Sequence, residues 1–497
     1  MGKSTGRLFV FILGLVIWAL CITDIAWAKI PIQPSDVYVQ GRQLMVRRRF
    51  KNNTLDTAKP YIIKGVGWNP ATMAPATGPN PANPAVSIPY GFFFDRPDVM
   101  NYWISQQHAA QYRRDTNTIR RMGANTVRIL SVDNTIPVQV LDKFYTKGIM
   151  VIMTVALTKD HIDSGKYLQV VNTFKNHPAV LMWALGNEWD MNLYYSTYPN
   201  LSSAMVATQS AAAAIKAIDA HHPVASCLGD NPALIQGIVV TCSNVDLWGF
   251  NIYRGLSFGD FFTNWLLAST KPFYFSEFGT DSYRTTSYVP DAGRAKQCVG
   301  FEDQLAQSST DLTLWNEMKN NLSAYDYRSA CAGGLIHEFV DQLWKVGNYN
   351  VGLGGIIEYG TPLVNHSYDD YNPEGFIVAG HPDGVANEEY FGVLNFERKP
   401  KIAYNTLREL YSKIGRTYIS SLSPTSGSSG QQFQIAGFGF GNMQGQSVVK
   451  FGPTTASVVS WSDTSITCIV PAIAKKSYKV SVSAAGVESK SKAYKVK

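Results

Sequence analysis

Short apolar segments alternate with amphipathic segments along most of the chain. The apolar segments hold few polar residues, which is typical of strands that are covered on both faces. The amphipathic segments repeat apolar residues with the period of a helix. From residue 61 onward, eight strands are predicted, at Tyr61–Val66, Asn125–Leu130, Ile149–Val155, Val180–Leu185, Pro223–Ser226, Asp246–Asn251, Pro272–Ser276 and Gly333–Phe339.

Helices are predicted between these strands and after the last one. They fall at Gln107–Arg121, Val138–Lys147, Tyr167–Asn176, Ser203–Asp219, Gly259–Ser269, Leu312–Tyr327 and Ala403–Ile414. Strands and helices that alternate over this length predict an α/β fold, a (β/α)8 TIM barrel at residues 29–415. A doubly wound open sheet is the alternative, but no glycine-rich phosphate loop follows its first strand.

The composition of the chain and the pattern of predicted elements change after Gly415. A Ser/Gly-rich stretch at residues 420–430 is followed by short strands and turn residues, with no helical pattern. Strands are predicted at Phe433–Gly439, Ser447–Phe451, Ser457–Trp461, Ser465–Val470 and Lys479–Ser483. Such spacing predicts an all-β sandwich at residues 416–497.

The N-terminus has the pattern of an export signal. Lys3 and Arg7 precede the apolar run Leu8–Ile22, and Ala26–Ala28 has a small-x-small cleavage pattern. A signal peptide at residues 1–28 predicts a secreted, periplasmic or cell-envelope protein. An uncleaved membrane anchor is the alternative, although the run is short for a bilayer, and no later segment is long and apolar enough to span one.

Composition narrows the function classes. Apolar residues make up 45% of the 497 and charged residues 16%, which is a globular balance. The formal charge of +7 is interpreted as spread along the chain, and its one dense cluster, Arg47–Arg49, as a solvated strand end, so no nucleic-acid partner is expected. The cysteines are sparse and lack metal-ligand spacing. A disulfide, Cys298–Cys331 or Cys227–Cys242, would suit an oxidising compartment, but the sequence does not choose between them.

Two carboxylates follow buried strands. Glu188 comes after the fourth predicted strand and Glu277 after the seventh. A charge at the end of an apolar run needs partners. Two such groups that face one cleft can cleave a glycosidic bond, one as a proton donor and the other ionised at the anomeric carbon. A separation of about 5–5.5 Å gives retention and about 6.5–9.5 Å gives inversion.

The residues around both carboxylates resemble glycoside hydrolase family 2 and the wider clan A. Phe174–Trp189 resembles the strand-four region of those enzymes, which implies that Glu188 is the acid/base and that Asn187 holds the sugar 2-hydroxyl. Phe275–Gly279 resembles the strand-seven motif, which implies that Glu277 is the nucleophile. The match spans roughly residues 61–414.

Four further residues are candidates for the substrate site. The resemblance of residues 125–128 and 248–253 to strands two and six implies that Arg128 lies near the nucleophile and that Tyr253 hydrogen-bonds to it. Trp344 is a candidate stacking platform. His337 falls where many relatives have an aromatic ring, so the sequence does not identify which side chain stacks on the sugar. Each also has a plain structural interpretation, as a barrel salt bridge or a packed ring.

The resemblance does not extend to a substrate. Family 2 enzymes usually carry two domains ahead of the barrel, whereas about thirty residues separate the expected cleavage site from the first barrel strand here. The Pro- and Asn-rich stretch from Asn69 to Asp95 is predicted to be a large loop in which substrate selection could reside.

The C-terminal segment resembles an IPT/TIG immunoglobulin-like module. Residues 419–427, 435–441 and 461–471 carry its pattern of glycines and prolines. Relatives act as spacers or adhesion modules; a spacer is the default interpretation here, and direct glycan binding is the alternative.

The sequence therefore predicts a secreted retaining β-glycosidase that acts on a β-linked oligo- or polysaccharide by double displacement. A β-glucan transglycosylase would use the same residues, because only the acceptor differs. A non-catalytic glycan-binding envelope protein is the alternative from another class. No metal or organic cofactor is expected, and the oligomeric state is not predicted.

Overall fold

Eight parallel strands close into a barrel. The computed structural model describes residues 33–68, 79–80, 83–87, 109–130, 136–289, 297–341, 366–368, 383, 387, 390–395 and 397–497. In chain order the barrel strands are Ile63–Gly67, Thr126–Leu130, Met150–Ala156, Val180–Leu185, Val224–Leu228, Leu247–Asn251, Phe273–Phe278 and Cys331–Ile336. The predicted TIM barrel is confirmed and the open sheet is excluded. The predicted signal at residues 1–28 lies outside the described residues.

The apolar strands serve two cores at once. In the third barrel strand, Met150 and Ile152 pack inside the barrel with side chains from other strands. The intervening Val151 and Met153 pack outward against the helices. Both faces are therefore buried, which explains why these strands lack an alternating polar pattern.

Helices cover the outside of the barrel at Ala109–Met122, Val138–Lys147, Lys159–Asp163, Lys166–Phe174, Trp189–Ser196, Leu201–Ile218, Pro232–Thr241, Phe261–Ala268, Gln304–Lys319 and Ile402–Lys413. The bounds predicted for one helix, Leu312–Tyr327, were wrong, because the structure has this helix at Gln304–Lys319. It begins at Gln304 because the Asp303 side chain accepts a hydrogen bond from the Ala306 amide at 3.0 Å. The predictions omitted Lys159–Asp163, Trp189–Ser196 and Pro232–Thr241.

A β-hairpin covers the N-terminal mouth of the barrel. Its strands, Asp36–Gln40 and Gln43–Arg47, pair antiparallel, and Lys59–Pro60 extends the sheet. Val37 and Leu44 are buried together with side chains from the barrel interior. The dense arginine cluster at its end is only partly solvated. Arg47 pairs with Asp36 at 3.4 Å within the hairpin, whereas Arg48 donates to the Tyr145 carbonyl of a barrel helix at 3.0 Å. The interpretation as a solvated strand end was therefore wrong for Arg48.

Further strands lie outside the barrel. Tyr283–Val289, Gln297–Glu302 and His366–Tyr368 form an antiparallel sheet after the seventh barrel strand. Within the stretch that was predicted to be a long loop, Pro79–Asn80 and Asn83–Ser87 pair as a small antiparallel ladder. The remainder of that stretch lies outside the described residues.

The C-terminal domain is a sandwich of two sheets whose long strands pair antiparallel. One contains Tyr418–Ser423, Gln432–Phe438, Ser465–Ile469 and Ser457–Trp461. The other contains Lys492–Val496, Ser477–Ala484 and Val448–Phe451, with the short strands Ser426–Gly427, Thr454–Thr455 and Val487–Glu488. Side chains such as Phe433, Val449 and Val480 fill a separate core. The predicted sandwich is confirmed, although its first and last long strands were not predicted.

This domain packs against the N-terminal end of the barrel. Lys319 forms an ion pair with Asp463 at 3.2 Å, and both side chains are largely covered. Ala484 and Ala485 belong to the apolar cluster of the barrel. The barrel side of the contact includes Tyr325 in the turn that precedes the eighth strand, so the domain lies opposite the C-terminal ends of the strands.

Neither suggested disulfide is formed. Cys227, Cys242 and Cys331 are buried free thiols, as is Cys468. Among the described residues, no helix combines the length and the apolar character needed to cross a membrane.

A buried ion pair fixes the segment after the eighth strand to the closing helix. Lys401 contacts Asp341 at 2.7 Å, and the side chains are 1% and 3% exposed. Lys401 also donates to the Ser282 hydroxyl and the Tyr390 carbonyl. Burial raises the pKa of Asp341 to about 7, although Lys401 opposes this shift.

Replacing Lys401 by Met should lower the free energy of unfolding by about 3–5 kcal/mol at pH 8, because a buried carboxylate loses its cation. The loss should be smaller at pH 5, where Asp341 is protonated in both proteins and needs no cation. Denaturant titration at both pH values measures this, with Lys413→Met on the exposed end of the closing helix as the control. Equal stability of the two variants at pH 8 would contradict a stabilising pair.

Candidate active site

Both predicted carboxylates lie at the C-terminal end of the barrel. Glu277 is the fifth residue of the seventh strand, and Glu188 comes three residues after the fourth strand ends. The strands are parallel, so their carboxyl ends meet at one mouth. Both side chains are half-buried, and each therefore reaches the mouth of the barrel without being sealed inside.

Three side chains surround the carboxylate of Glu277. Arg128 Nη1 donates to Oε1 at 2.8 Å, and the Tyr253 hydroxyl donates to Oε2 at 3.1 Å. His337 Nδ1 lies 3.5 Å from Oε2. These partners fix the orientation of the carboxylate.

Arg128 connects Glu277 to Asn187 from inside the barrel. Its side chain is 4% exposed, against 20% for Glu277, so it supports the carboxylate from within the barrel. Its Nη2 donates to Asn187 Oδ1 at 2.8 Å and its Nε to the Thr154 hydroxyl at 3.1 Å. Burial disfavours the guanidinium cation, but neighbouring groups, Cys227 and Glu277 first, outweigh this and raise the pKa of Arg128.

Asn251 holds Glu188 in the same network. Its Nδ2 donates to Glu188 Oε1 at 3.0 Å and to Asn187 Oδ1 at 3.2 Å. Its own Oδ1 accepts a hydrogen bond from the Ser276 hydroxyl at 2.7 Å, which fixes the orientation of the buried amide. Hydrogen bonds therefore connect Glu277 to Glu188 through Arg128, Asn187 and Asn251.

The backbone turns sharply where it presents Glu188. Glu188 has a φ of 50°, in the left-handed region that residues with a Cβ rarely adopt. Just before it, Gly186 has a φ of 73°, and a Cβ there would collide with the indole ring of Trp189. The left-handed region recurs at Leu193 and Tyr194. Such backbone persists only where the surroundings hold it, and this is common at functional sites.

Side chains of the same segment provide that support. Trp189 is buried and donates to the Ser226 hydroxyl at 2.8 Å. Asn192 donates to the Asn187 carbonyl at 2.7 Å. Asp190 accepts from the Gly229 amide at 2.8 Å, and burial raises the pKa of this carboxyl to about 6. The segment is thus tied to the fifth strand on one side and to Asn187 on the other.

The structure brings together most of the residues that the sequence suggested. Arg128, Asn187, Tyr253 and His337 all lie within this network. Trp344 lies outside the described residues, so its predicted stacking role stays a prediction.

Sequence reasoning missed Asn251 as a site residue. It stands inside the strand-six motif that drew attention to Tyr253, and a polar residue at the end of an apolar strand was the available signal. Trp189, the next residue after Glu188, packs its ring into the core between barrel and helices. In the described part of the chain, no three His, Cys, Asp or Glu side chains converge as metal ligands would.

Comparisons with known proteins follow the same division of the chain. Residues 153–289 match the family "Glycosyl hydrolases family 2, TIM barrel domain", and residues 417–496 match the family "IPT/TIG domain". The 1,3-beta-glucanosyltransferase gas2 of Schizosaccharomyces pombe is 23% identical over 384 residues, which cover 68% of this chain and 72% of that protein.

Solved structures that the chain matches include a GH2 beta-galacturonidase from Eisenbergiella tayi, with 16% identity and a TM-score of 0.44 over 77% of this chain and 55% of that one. The beta-D-glucuronidase of Dictyoglomus thermophilum has 16% identity and a TM-score of 0.44 over 76% of this chain and 54% of that one. The chain thus spans about half the length of these solved proteins. The barrel is thus similar to the TIM barrel domain of glycosyl hydrolase family 2 over residues 153–289, and the C-terminal domain is similar to IPT/TIG domains over residues 417–496.

Proposed function

We propose that the protein is a retaining β-glycosidase that acts on a β-linked oligo- or polysaccharide by double displacement. One observation carries the proposal: two carboxylates share one mouth of the barrel and belong to one hydrogen-bond network. A buried arginine and a tyrosine hold Glu277, and Asn251 donates a hydrogen bond to Glu188. A retaining mechanism needs two carboxyl groups at one site, one as the nucleophile and one as the proton donor.

In the first step, Glu277 attacks the anomeric carbon as Glu188 gives its proton to the departing glycosidic oxygen. The bond between the anomeric carbon and that oxygen breaks, and a covalent glycosyl ester forms on Glu277. Arg128 holds the Glu277 carboxylate in position for the attack through its hydrogen bond at 2.8 Å. Asn187, held by Arg128 and Asn251, is placed to hydrogen-bond the sugar 2-hydroxyl.

In the second step, Glu188 takes a proton from the acceptor, whose oxygen attacks the anomeric carbon and releases Glu277. Water as the acceptor gives hydrolysis. Two inversions at the same carbon retain the β configuration.

Replacement of Glu277 by Ala should lower the turnover of an aryl β-glycoside by about 10³-fold or more, because the covalent step is lost. Azide should restore part of the activity and give a glycosyl azide of inverted configuration, which NMR of the product identifies. Glu409→Ala, at an exposed position on the closing helix, is the control. Wild-type turnover in Glu277→Ala would exclude Glu277 as the nucleophile.

Replacement of Glu188 by Ala should depend on the leaving group. Substrates with a poor leaving group should lose about 10²–10⁴-fold in kcat/KM, because they need a proton from the enzyme. A dinitrophenyl glycoside should lose much less in the same constant, because its leaving group departs as an anion. Losses of equal size across a series of aryl leaving groups would contradict an acid/base role.

Asn251→Ala tests whether the amide positions Glu188. We expect kcat to fall by about 10- to 100-fold, because both Glu188 and Asn187 lose a donor. A hydrogen bond to a carboxylate favours its charged form, so its removal should move the alkaline limb of the pH–rate profile to higher pH. Ser276→Ala should have a smaller effect of the same kind. A lower rate with an unmoved profile would indicate a structural role only.

Transfer to a sugar hydroxyl is the second candidate activity. It is favoured by the match to a protein named as a 1,3-beta-glucanosyltransferase over 72% of that protein's length. The same two glutamates would serve, with a sugar in place of water in the second step. Mass spectrometry of products from reduced and unreduced β-1,3-glucan oligosaccharides distinguishes transfer, which gives longer chains, from hydrolysis.

Export to the cell envelope or the medium is part of the proposal. It is supported by the basic start, apolar run and cleavage pattern of residues 1–28. The alternative is a protein that binds glycans without turnover. It would be favoured if neither the aryl β-glycosides nor the β-1,3-glucan oligosaccharides gave any product.

A further inference from the structure

The excess positive charge lies in the C-terminal domain. Residues 416–497 contain nine Lys and Arg but only two Asp and Glu, a net charge of +7. The whole chain has 44 and 37, so residues 1–415 contain 35 of each and are formally neutral. The interpretation of a charge spread along the chain was therefore wrong.

Three of these lysines share the outer face of one sheet. Lys479 is exposed on its strand, and side chains two residues apart point to the same side. Lys450 pairs with Ser481 and Lys495 pairs with Ser477, the two positions flanking Lys479 on that side. Neighbouring strands lie about 4.8 Å apart and alternate residues about 7 Å apart, so the three lysines form a diagonal row across three strands.

More lysines extend this row at one end of the sheet. Lys475 and Lys476 are exposed just before the strand that carries Lys479. The Val496 amide donates to the Lys476 carbonyl at 2.9 Å, which places the exposed Lys497 beside them. We call these six residues the basic face: Lys450, Lys475, Lys476, Lys479, Lys495 and Lys497.

Carboxylates do not neutralise the basic face. Residues 417–497 are all described, and none of these six lysines forms an ion pair with a described carboxylate. Glu488 lies on the same side of the sheet as these lysines, because it pairs with Ser483 and accepts a hydrogen bond from Ser481 at 2.7 Å, so it offsets one of the six positive charges. Asp463 belongs to the other sheet and pairs with Lys319 of the barrel. The positive potential of the six cations is therefore directed outward.

The chemistry of the basic face distinguishes among polyanions. The exposed large apolar residues of this fully described domain, Tyr418, Met443 and Val459, lie outside the basic face. Binding within a lipid interface uses apolar side chains that insert, and binding of single-stranded nucleic acid uses exposed aromatic rings. Tyr478, whose ring centre lies 5.2 Å from Lys476 Nζ, is only partly exposed. A row of ammonium groups without a fully exposed apolar or aromatic side chain fits a linear polymer that carries regularly spaced carboxylates.

We propose that the basic face binds an acidic polysaccharide, one whose sugars carry carboxylate groups. This goes beyond the proposed glycosidase activity and does not depend on it. The domain packs at the N-terminal end of the barrel, so a polymer on the basic face leaves the carboxylates at the opposite mouth open. The domain then retains the protein on an acidic matrix while the barrel remains available.

The test is binding of the full-length protein to immobilised polygalacturonate, with neutral dextran as the reference polymer. The wild-type protein should bind polygalacturonate at low salt, bind dextran weakly or not at all, and be released as salt rises. The triple variant Lys450→Gln, Lys479→Gln, Lys495→Gln should bind roughly tenfold to a hundredfold more weakly, because exposed cations act additively on a polyanion.

Two further variants make the result specific. The control Lys51→Gln, Lys147→Gln, Lys413→Gln removes the same charge from the barrel domain and should bind like the wild type. The variant Lys450→Arg, Lys479→Arg, Lys495→Arg keeps the charge and should preserve binding. Thermal unfolding curves of all variants show whether a loss of binding reflects the lost charge or misfolding. Equal losses in the glutamine triple and its control would overturn the proposal. So would tighter binding to phosphatidylglycerol vesicles or to single-stranded DNA than to polygalacturonate.

Discussion

The rest of the site depends on the hydrogen bonds that the guanidinium group of Arg128 donates. It is almost fully buried, yet it donates to Glu277 with one nitrogen and to Asn187 with another. A buried cation of this kind requires an acceptor for each donor, and the fork geometry of arginine fixes where those acceptors stand. The positions of strands two, four and seven are thereby coupled, and Asn251 extends the coupling to Glu188. The same side-chain hydrogen bonds therefore fix the two carboxylates and connect residues of four different barrel strands or the segments that follow them.

The sequence was sufficient to predict the barrel strands, because strands buried on both faces produce apolar runs that few other structures produce. It was less informative about helices. Pro232–Thr241 is apolar on nearly all sides and lacks the periodic pattern that marks a surface helix. The helix that begins at Gln304 starts with a polar turn, so apolar periodicity placed its start too late. Glu188 and Glu277 were found through their neighbours, whereas Asn251 acts through Ser276, a contact that only the folded chain creates.

Two features were not predicted from the sequence pattern, for different reasons. Left-handed backbone at Glu188 and Leu193 has no signal in the side chains themselves, because tertiary contacts impose it against their preference. The charge of the C-terminal domain was present in the sequence, but an average over the whole chain concealed it. Only the pairing register of the sheet shows that Lys450, Lys479 and Lys495 share one side.

The hairpin beneath the barrel limits the directions from which the two carboxylates can be approached. Val37 and Leu44 cover the lower opening, and apolar side chains of the strands pack with them in the barrel interior. In the described part of the chain, this packing closes the route along the barrel axis from below. In the proposed two-step reaction, the donor, the acceptor and both products would therefore share the upper opening. The space that a bound sugar leaves free there would then influence whether water or a second sugar reaches the anomeric carbon.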